Sequence, residues 1–140
     1  MPTLNEWIKI YENKTKEKFY PKEGFKLFYL PSRGFCEIKI IDNLYMLQIY
    51  QLCGDGHFWK DFADCMAQGL NIKIAGSLCI RKNILAYIRF WGYKIIKKEP
   101  LSDGSFVYIG LNKEGKKARF SPVFIHRDKT KRSYMVTWEV

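Results

Sequence analysis

Hydrophobic and polar positions recur along this chain with two different periods, and each period predicts a different element. In residues 1–24 the apolar side chains return every three or four positions, which is the spacing along one face of an α-helix. The apolar positions of this face are Leu4, Trp7, Ile8 and Tyr11. Pro21 and Gly24 close the region, so one amphipathic N-terminal helix is predicted there.

The chain from residue 25 to residue 52 instead alternates between apolar and polar side chains, as β-strands do. Strands are predicted over residues 25–30, 35–41 and 44–52. Strands that are joined by short turns pair antiparallel, so the three should form a meander. In the second strand Glu37 and Lys39 alternate with apolar residues, which favours the solvent side of the sheet for Glu37.

The rest of the chain predicts a helix, a strand, a second helix and then further strands. Broad apolar faces indicate helices in residues 58–68 and 84–91, and Gly92 is placed to end the second one. The intervening strand, residues 71–80, should run parallel to the strand of residues 44–52 because a helix connects them. The last predicted strands are residues 106–111, 118–120, 123–126 and 134–140, with a basic turn at residues 127–133.

This order predicts an α/β fold in one domain of residues 1–140. A chain of 140 residues with 47% hydrophobic residues has enough apolar surface for a dense core. The domain divides into an N-terminal helix region (residues 1–24), a sheet and core region (residues 25–96) and a β-rich extension (residues 97–140).

Neither a membrane span nor a secretory signal is evident, so a cytoplasmic protein that does not engage a membrane is expected. The four cysteines are widely spaced, contain no C-x-x-C pair and lie in apolar segments. We therefore predict that the cysteines are buried free thiols, and we predict no metal site. The cysteines are Cys36, Cys53, Cys65 and Cys79.

The net charge of +10 is concentrated in the C-terminal third. Residues 94–132 hold eleven Lys or Arg against four acids, whereas residues 44–80 hold two lysines against three acids. Lysine-rich turns that keep a small protein soluble are one explanation. The other is a polyanionic partner at residues 94–132: the phosphates of a cofactor, a nucleic acid or an acidic protein.

The stretch with the strongest chemical indication joins the strand of residues 44–52 to the helix of residues 58–68. It reads Gln51-Leu52-Cys53-Gly54-Asp55-Gly56, a Q-x-x-G-x-G pattern. A glycine-containing turn that opens a helix presents backbone N–H groups at the positive end of the helix dipole, where a phosphate binds. Asp55 has an alternative role, because an aspartate at such a position commonly caps the helix.

A second feature lies at residues 84–93, where a predicted helix ends in Gly92-Tyr93 and a strand follows. Together the two features resemble the GNAT superfamily of N-acetyltransferases, and in particular short uncharacterised GNAT-like proteins of phages and prophages. The resemblance covers residues 44–96. It departs from the family at Ile88, where a tyrosine is usual, and in the N-terminal region, which is shorter than the family's.

The resemblance implies a GNAT-like mixed sheet, with an antiparallel meander, splayed parallel strands and helices on both faces. It also implies acetyl-CoA or another acyl-CoA as the cofactor. The thioester would contact the backbone of Ile49 and Tyr50, and the pyrophosphate would contact the loop. The predicted cofactor-binding residues are Ile49, Tyr50, Gln51, Cys53, Gly54, Asp55, Gly56, His57 and Arg81. The alternative for Arg81 is that it forms a solvated pair of cations with Lys82 at the start of the second helix.

For acyl transfer the resemblance implies a general base on the sheet and an acid on the second helix. Glu37 is the candidate base and Tyr87 the candidate acid, although a solvent-facing strand residue and a helix-surface aromatic are the alternatives. The predicted function is acyl-CoA-dependent N-acyl transfer to an unidentified amine. The alternative is a non-catalytic GNAT-like binding module that engages nucleic acid or a protein through its basic C-terminal surface.

Overall fold

The computed structural model describes residues 1–125 and 132–140 of the chain. These residues form three helices: α1 (Leu4–Thr15), α2 (Gly56–Gly69) and α3 (Ile84–Phe90). They also form eight strands: β1 (Lys26–Leu30), β2 (Gly34–Ile41), β3 (Met46–Gly54), β4 (Ile74–Arg81), β5 (Lys94–Pro100), β6 (Phe106–Leu111), β7 (Lys117–Ile125) and β8 (Arg132–Glu139). The fold is mixed α/β, as the sequence predicted.

The chain divides into two compact units, Met1–Lys73 and Ile74–Val140. The first unit contains α1, β1, β2, β3 and α2, and the second contains β4, α3 and β5 to β8. The expected parallel relation between the strand before α2 and the strand after it involves one strand from each unit, and it stays a prediction. The single domain of residues 1–140 also stays a prediction.

In the first unit β1, β2 and β3 form the predicted antiparallel meander. Neighbouring residues of a strand point to opposite faces of the sheet, so their contacts show which helix covers each face. Phe28 of β1 packs against Phe62 of α2, with ring centroids 5.0 Å apart. The next residue, Tyr29, packs instead against a cluster that α1 contributes to through Tyr11. Helices α1 and α2 therefore lie on opposite faces of the meander.

Helix α1 is fixed at its start by local hydrogen bonds and by one contact to the sheet. The Thr3 hydroxyl accepts the backbone N–H of Glu6 at 3.2 Å, as an N-cap residue does. The indole N–H of Trp7 donates to the backbone carbonyl of Pro31 at 2.9 Å. The amphipathic helix predicted from the periodicity is confirmed, and the sheet contact orients it.

In the second unit the strand order is β4-β8-β7-β6-β5, and every neighbouring pair is antiparallel. Two strands were predicted on either side of residue 121, but the structure has one strand, β7 (Lys117–Ile125). Pro122 lies beside a register shift in the pairing with β8, and such a bulge accommodates a proline within a sheet. The predicted turn at residues 127–133 lies mostly outside the described residues, as does residue 126.

All four cysteines are free thiols, as predicted. Cys36 and Cys53 are buried in the strands of the first unit, and Cys79 is half-buried in β4. Cys65 is exposed, so its predicted burial is wrong. The apolar stripe of α2 is narrower than the sequence suggested, and its buried residues are Trp59, Ala63 and Ala67.

Candidate functional site

The Q-x-x-G-x-G stretch forms a strand end and a helix start with a single residue between them. Strand β3 continues to Gly54, and α2 begins at Gly56. The predicted loop from Gln51 to Gly56 is therefore wrong as an element, because its first four residues belong to the strand. Asp55 alone connects the two elements, and His57 lies exposed in the first turn of α2.

Gly54 is required at this junction by the neighbouring strand. It pairs with Gly34 of β2 and has a φ of 107°, in the left-handed region that favours glycine. A Cβ atom on Gly54 would lie 2.2 Å from the carbonyl oxygen of Arg33. The close approach of two backbones thus explains this glycine without any ligand.

Asp55 caps α2, which is the alternative that the sequence left open. Its Oδ1 accepts the backbone N–H of Phe58 at 3.0 Å, and its Oδ2 pairs with the guanidinium of Arg33. The hydrogen bond from Phe58, followed by that from Arg33, lowers the pKa of Asp55 below its usual range. A carboxylate and a guanidinium therefore stand beside the N–H groups at the start of α2.

Glu37, the candidate base, is buried and not on the solvent side of the sheet, so the alternation in β2 misplaced it. Only 1% of its surface is exposed. The backbone N–H of Lys22 donates to its Oε2 at 3.0 Å, and the side-chain amide of Gln51 donates to its Oε1. The same amide donates to the carbonyl of Tyr20 at 2.7 Å. Gln51 thus holds the Glu37 carboxylate instead of lining a loop.

Glu37 lies on the same face of β2 as the buried Phe35, and it is buried because residues 17–25 cover that face. A β-bulge in β3 determines which side chains lie beside it. The register of β2 and β3 shifts between Cys36 and Ile38, so that Tyr50 and Gln51 stand opposite the single residue Glu37. A bulge of this kind interrupts the ladder and re-aims side chains, which strict alternation along a sequence does not anticipate. Bulges are also over-represented beside functional sites.

Tyr50 lies at the bulge in a group of aromatic rings. Its hydroxyl is 2.8 Å from the hydroxyl of Tyr20, and its ring centroid is 5.4 Å from that of Phe25. The ammonium of Lys22 lies 4.9 Å from the centre of the Tyr50 ring. The hydrogen bond with Tyr20, followed by burial, raises the pKa of Tyr50 to about 12. Tyr50 therefore keeps its proton at neutral pH.

Buried groups surround the carboxylate on β2 and β3. Burial, and then the charge of Glu37, raises the pKa of the Cys36 thiol to about 12. Burial also raises the pKa of Tyr11 to about 12, with smaller contributions from Glu17 and Glu37. Ile49 and Cys53, two of the predicted cofactor residues, are buried in β3. Their side chains serve the core, so only their backbone is placed to contact a ligand.

Residues 17–25, named here the covering segment, lie over this carboxylate. The segment connects α1 to β1 and is tied to the sheet by the hydrogen bonds of Glu37 and Gln51. Phe19 packs on Phe35 with ring centroids 5.2 Å apart. A substrate therefore reaches Glu37 only if the covering segment moves.

Arg81 and Tyr87 form a separate group in the second unit. Arg81 ends β4 and does not start the second helix, and its guanidinium lies 4.3 Å from the centre of the Tyr87 ring. The Tyr87 ring packs on Trp91 with ring centroids 6.0 Å apart. Burial raises the pKa values of Tyr87 and Cys79. Tyr87 is thus a half-buried residue that holds its proton, not a free helix-surface aromatic.

Ile88 occupies the position at which the resembled family has a tyrosine. It is fully buried, at 0% exposure, and its carbonyl accepts the backbone N–H of Tyr93 at 3.2 Å. A tyrosine hydroxyl at this depth would need a partner, which an isoleucine does not. The departure from the family is therefore a consequence of how α3 packs.

Four residues of the first unit were not predicted as site residues. Lys22 and Tyr20 contact the side chains of Glu37 and Gln51, and Gly34 and Arg33 contact Gly54 and Asp55. Two glycines, Gly34 and Gly54, at the facing ends of two adjacent predicted strands were an available signal for the close backbone approach. No comparable signal marked Lys22, because its main-chain N–H is the contacting group and any residue supplies one. The described residues contain no group of three or more His, Cys, Asp or Glu that could hold a metal ion.

Comparison with known proteins yields no match to a family model, to a curated protein or to a solved structure. In the part of the chain that the structure describes, no helix is both long enough and apolar enough to cross a membrane.

Proposed function

We propose that the protein is an acyl-CoA-dependent N-acyltransferase that transfers an acetyl or similar acyl group to an amine. The observation that carries the proposal is the buried, hydrogen-bonded Glu37 carboxylate at a β-bulge on the strand pair that leads into α2. A carboxylate is costly to bury unless hydrogen bonds compensate it, and a carboxylate held on the sheet in this way can accept a proton.

Three groups that acyl transfer needs follow one another along β3. Tyr50 and its backbone lie at the bulge, Gln51 holds the base, and the N-terminus of α2 follows Gly54. The four residue steps from Tyr50 to Gly54 span about 13 Å of strand. An extended thioester arm that lies along the strand would place its phosphates at the start of α2 and its carbonyl near Tyr50.

In the proposed reaction the amine nitrogen attacks the thioester carbonyl, an N–C bond forms and the C–S bond breaks. The Glu37 carboxylate takes a proton from the ammonium so that the neutral amine can attack, and the departing thiolate takes a proton from water. Tyr87, the acid that the resemblance implies, stays a prediction. Positioning of the two reactants supplies most of the rate.

Asp55 sets a condition on cofactor binding. Its carboxylate repels a pyrophosphate at the start of α2, whereas Arg33 beside it attracts one. The proposal therefore includes a rearrangement in which Arg33 leaves Asp55 for the phosphates. The acceptor amine, as a cation, fits the rings of Tyr20, Phe25 and Tyr50, which pack on one another. Lysine ammonium groups already lie beside two of these rings, Lys22 at Tyr50 and Lys39 at Phe25.

Thermal unfolding with and without acyl-CoA tests the proposal. At about one hundred times the dissociation constant, a bound cofactor adds about 2.7 kcal/mol to the free energy of unfolding. Gly56→Pro should remove this stabilisation, because it deletes an N–H donor at the first helical position, where proline is tolerated. Substitution of Gly54 would not serve, since any side chain there meets the Arg33 carbonyl.

Release of the free CoA thiol in the presence of candidate amines then measures the transfer. We expect Glu37→Gln to lower turnover at neutral pH and to change its pH profile, with cofactor-induced stabilisation retained. Absence of stabilisation by every acyl-CoA tried at millimolar concentration would refute the proposal. Stabilisation without thiol release for any amine would instead indicate a cofactor-binding module.

A further inference from the structure

The sheet of the second unit has one buried face, and its other face is open around Arg119, whereas Val107 on that other face is buried. Phe120 of β7 is fully buried, and Tyr93, which follows α3, packs on it with ring centroids 5.9 Å apart. Gly110 of β6 leaves room for Tyr93, because a Cβ there would lie 2.8 Å from the Tyr93 Cβ. The residues that alternate with these, such as Arg119 and Ile109, point to the other face, where Arg119 is exposed.

Four cations converge on this open face through the cross-strand register. Lys97 pairs with Ile109, and Ile109 pairs with Arg119, so the three side chains share a face and form one row. Lys94 and Lys117 both pair with Leu111, which forms the next row. We name these four cations with Ile109 and Leu111 the basic face.

A bulge in β5 creates the arrangement. The register shifts between Ile95 and Lys97, so Lys94 and Lys97, three residues apart, project from the same face. Strict alternation would have placed them on opposite faces. From β5 to β7 the rows span about 10 Å, and successive rows along a strand are about 7 Å apart.

Between the cations the face has an apolar floor. A shallow depression of about 240 Å³ lies over β6, β7, β8 and β4. Its lining includes Ile74, Ile109, Lys117, Arg119, Thr137 and Glu139. Ile74 is 37% exposed, so apolar surface is accessible beside the cations. Two acids moderate the charge: Glu99 lies 3.6 Å from Lys97, and Glu139 accepts the backbone N–H of Lys117 at 2.6 Å.

We propose that the basic face binds an acidic segment of another protein, one that carries apolar side chains among its carboxylates. The cations attract the carboxylates, and Ile109, Leu111 and Ile74 bury the partner's apolar side chains. A nucleic acid would leave this apolar floor unused. Its bases also need exposed aromatic rings for stacking. Within the described residues the rows of the basic face contain no aromatic residue, and Trp138, which lines the depression, is only 5% exposed. This inference is independent of acyl transfer.

Binding measured by fluorescence anisotropy separates the possible partners. The probes are a labelled peptide of glutamates with interspersed leucines, poly-L-glutamate of the same length and charge, an oligo-dT and a DNA duplex, all at about 50 mM salt. We expect the leucine-containing peptide to bind at least about tenfold more tightly than the other three probes, because only that peptide uses both the cations and the floor.

Two variants and a charge-matched control locate the site. Lys117→Gln with Arg119→Gln should weaken peptide binding by about tenfold or more, and Ile109→Thr should weaken it by a similar factor. Lys113→Gln with Lys116→Gln removes the same charge from the exposed turn between β6 and β7, away from the face, and should leave affinity nearly unchanged. Melting curves of each variant check that the fold is intact.

Other outcomes would overturn the inference. If the DNA duplex or the oligo-dT binds as tightly as the peptide and Ile109→Thr has no effect, the surface is a nucleic-acid site. If the control variant weakens binding as much as Lys117→Gln with Arg119→Gln, net charge and not this face is responsible. If no probe binds at about 50 mM salt, the lysines serve solubility.

Discussion

Gly54 and Gly92 carry the two halves of the family resemblance, yet different constraints act on them. Both have positive φ angles, 107° and 82°. A side chain at Gly54 would collide with the Arg33 carbonyl, whereas nothing lies within 4 Å of a Cβ at Gly92. Gly92 is explained by its backbone conformation at the end of α3, and Gly54 by its conformation together with the packing of two strands.

Alanine substitution at both positions should separate these constraints. We expect Gly92→Ala to lower the free energy of unfolding by about 1 kcal/mol, and Gly54→Ala to lower it by at least twice that amount. Gly69, which ends α2 without a positive φ and with open space around it, is the control, and Gly69→Ala should be neutral or slightly stabilising. Urea denaturation measures all three. Equal losses at residues 54 and 92 would contradict the packing argument.

At the scale of elements, the covering segment is held by polar contacts from two strands. One carboxylate on β2 and one amide on β3 supply them, and the bulge between these strands brings the two groups together. Mobility of residues 17–25 should therefore depend on Glu37 more than on the apolar contacts of Phe19. The proposed reaction requires such mobility, since Glu37 is otherwise closed to a substrate.

Glu37→Ala should release the covering segment without unfolding the sheet. The backbone N–H of Lys22 and the Gln51 amide lose their acceptor, which costs about 1 to 3 kcal/mol. Amide hydrogen exchange at Lys22 should accelerate by about tenfold or more, and trypsin should cleave after Lys18 or Lys22 sooner. Glu23→Ala removes an exposed acid from the same segment and should change neither measurement. Unchanged exchange in Glu37→Ala would show that apolar packing holds the segment.

At the scale of the whole molecule, the four cysteine thiols differ in how deeply they are buried. Cys36 and Cys53 are buried in the first unit, Cys79 is half-buried in the second, and Cys65 is exposed on α2. Burial raises the pKa of Cys36 to about 12, so this thiol stays neutral at physiological pH. Only an accessible thiolate reacts with a disulfide reagent.

A disulfide reagent should therefore label the exposed Cys65 rapidly in the native protein, and it should label Cys36 only after unfolding. Cys65 is exposed, so the reagent reaches it without unfolding. Cys36 is buried and its raised pKa keeps its thiol protonated, so its labelling should follow unfolding instead. Cys65→Ser is the control and should abolish the rapid phase. Rapid labelling of Cys36 would contradict the burial of β2.

Local periodicity determined most of the elements. The helical spacing of residues 4–11 and the alternation in residues 25–52 predicted α1 and the meander, because each side chain's preference for core or solvent follows from the element's own period. The strand and helix before and after Asp55 were also predicted from local signals. The strand ends two residues later than predicted, because the pairing of Gly34 with Gly54 extends β3. The helix begins two residues earlier than predicted, at Gly56.

Three properties of the protein therefore follow from the amino-acid sequence alone. They are the order and type of most helices and strands, the choice for Asp55 between capping α2 and lining a phosphate site, and the concentration of positive charge after residue 94. The tertiary structure alone decided which side chains meet. Glu37 is buried because residues 17–25 cover its face of the sheet, which the alternation in β2 does not reveal. A bulge in β3 places Tyr50 and Gln51 opposite Glu37, and a bulge in β5 brings Lys94 and Lys97 to one face. Each bulge arises where two strands differ by one residue, so it is a property of the strand pair and no single segment encodes it.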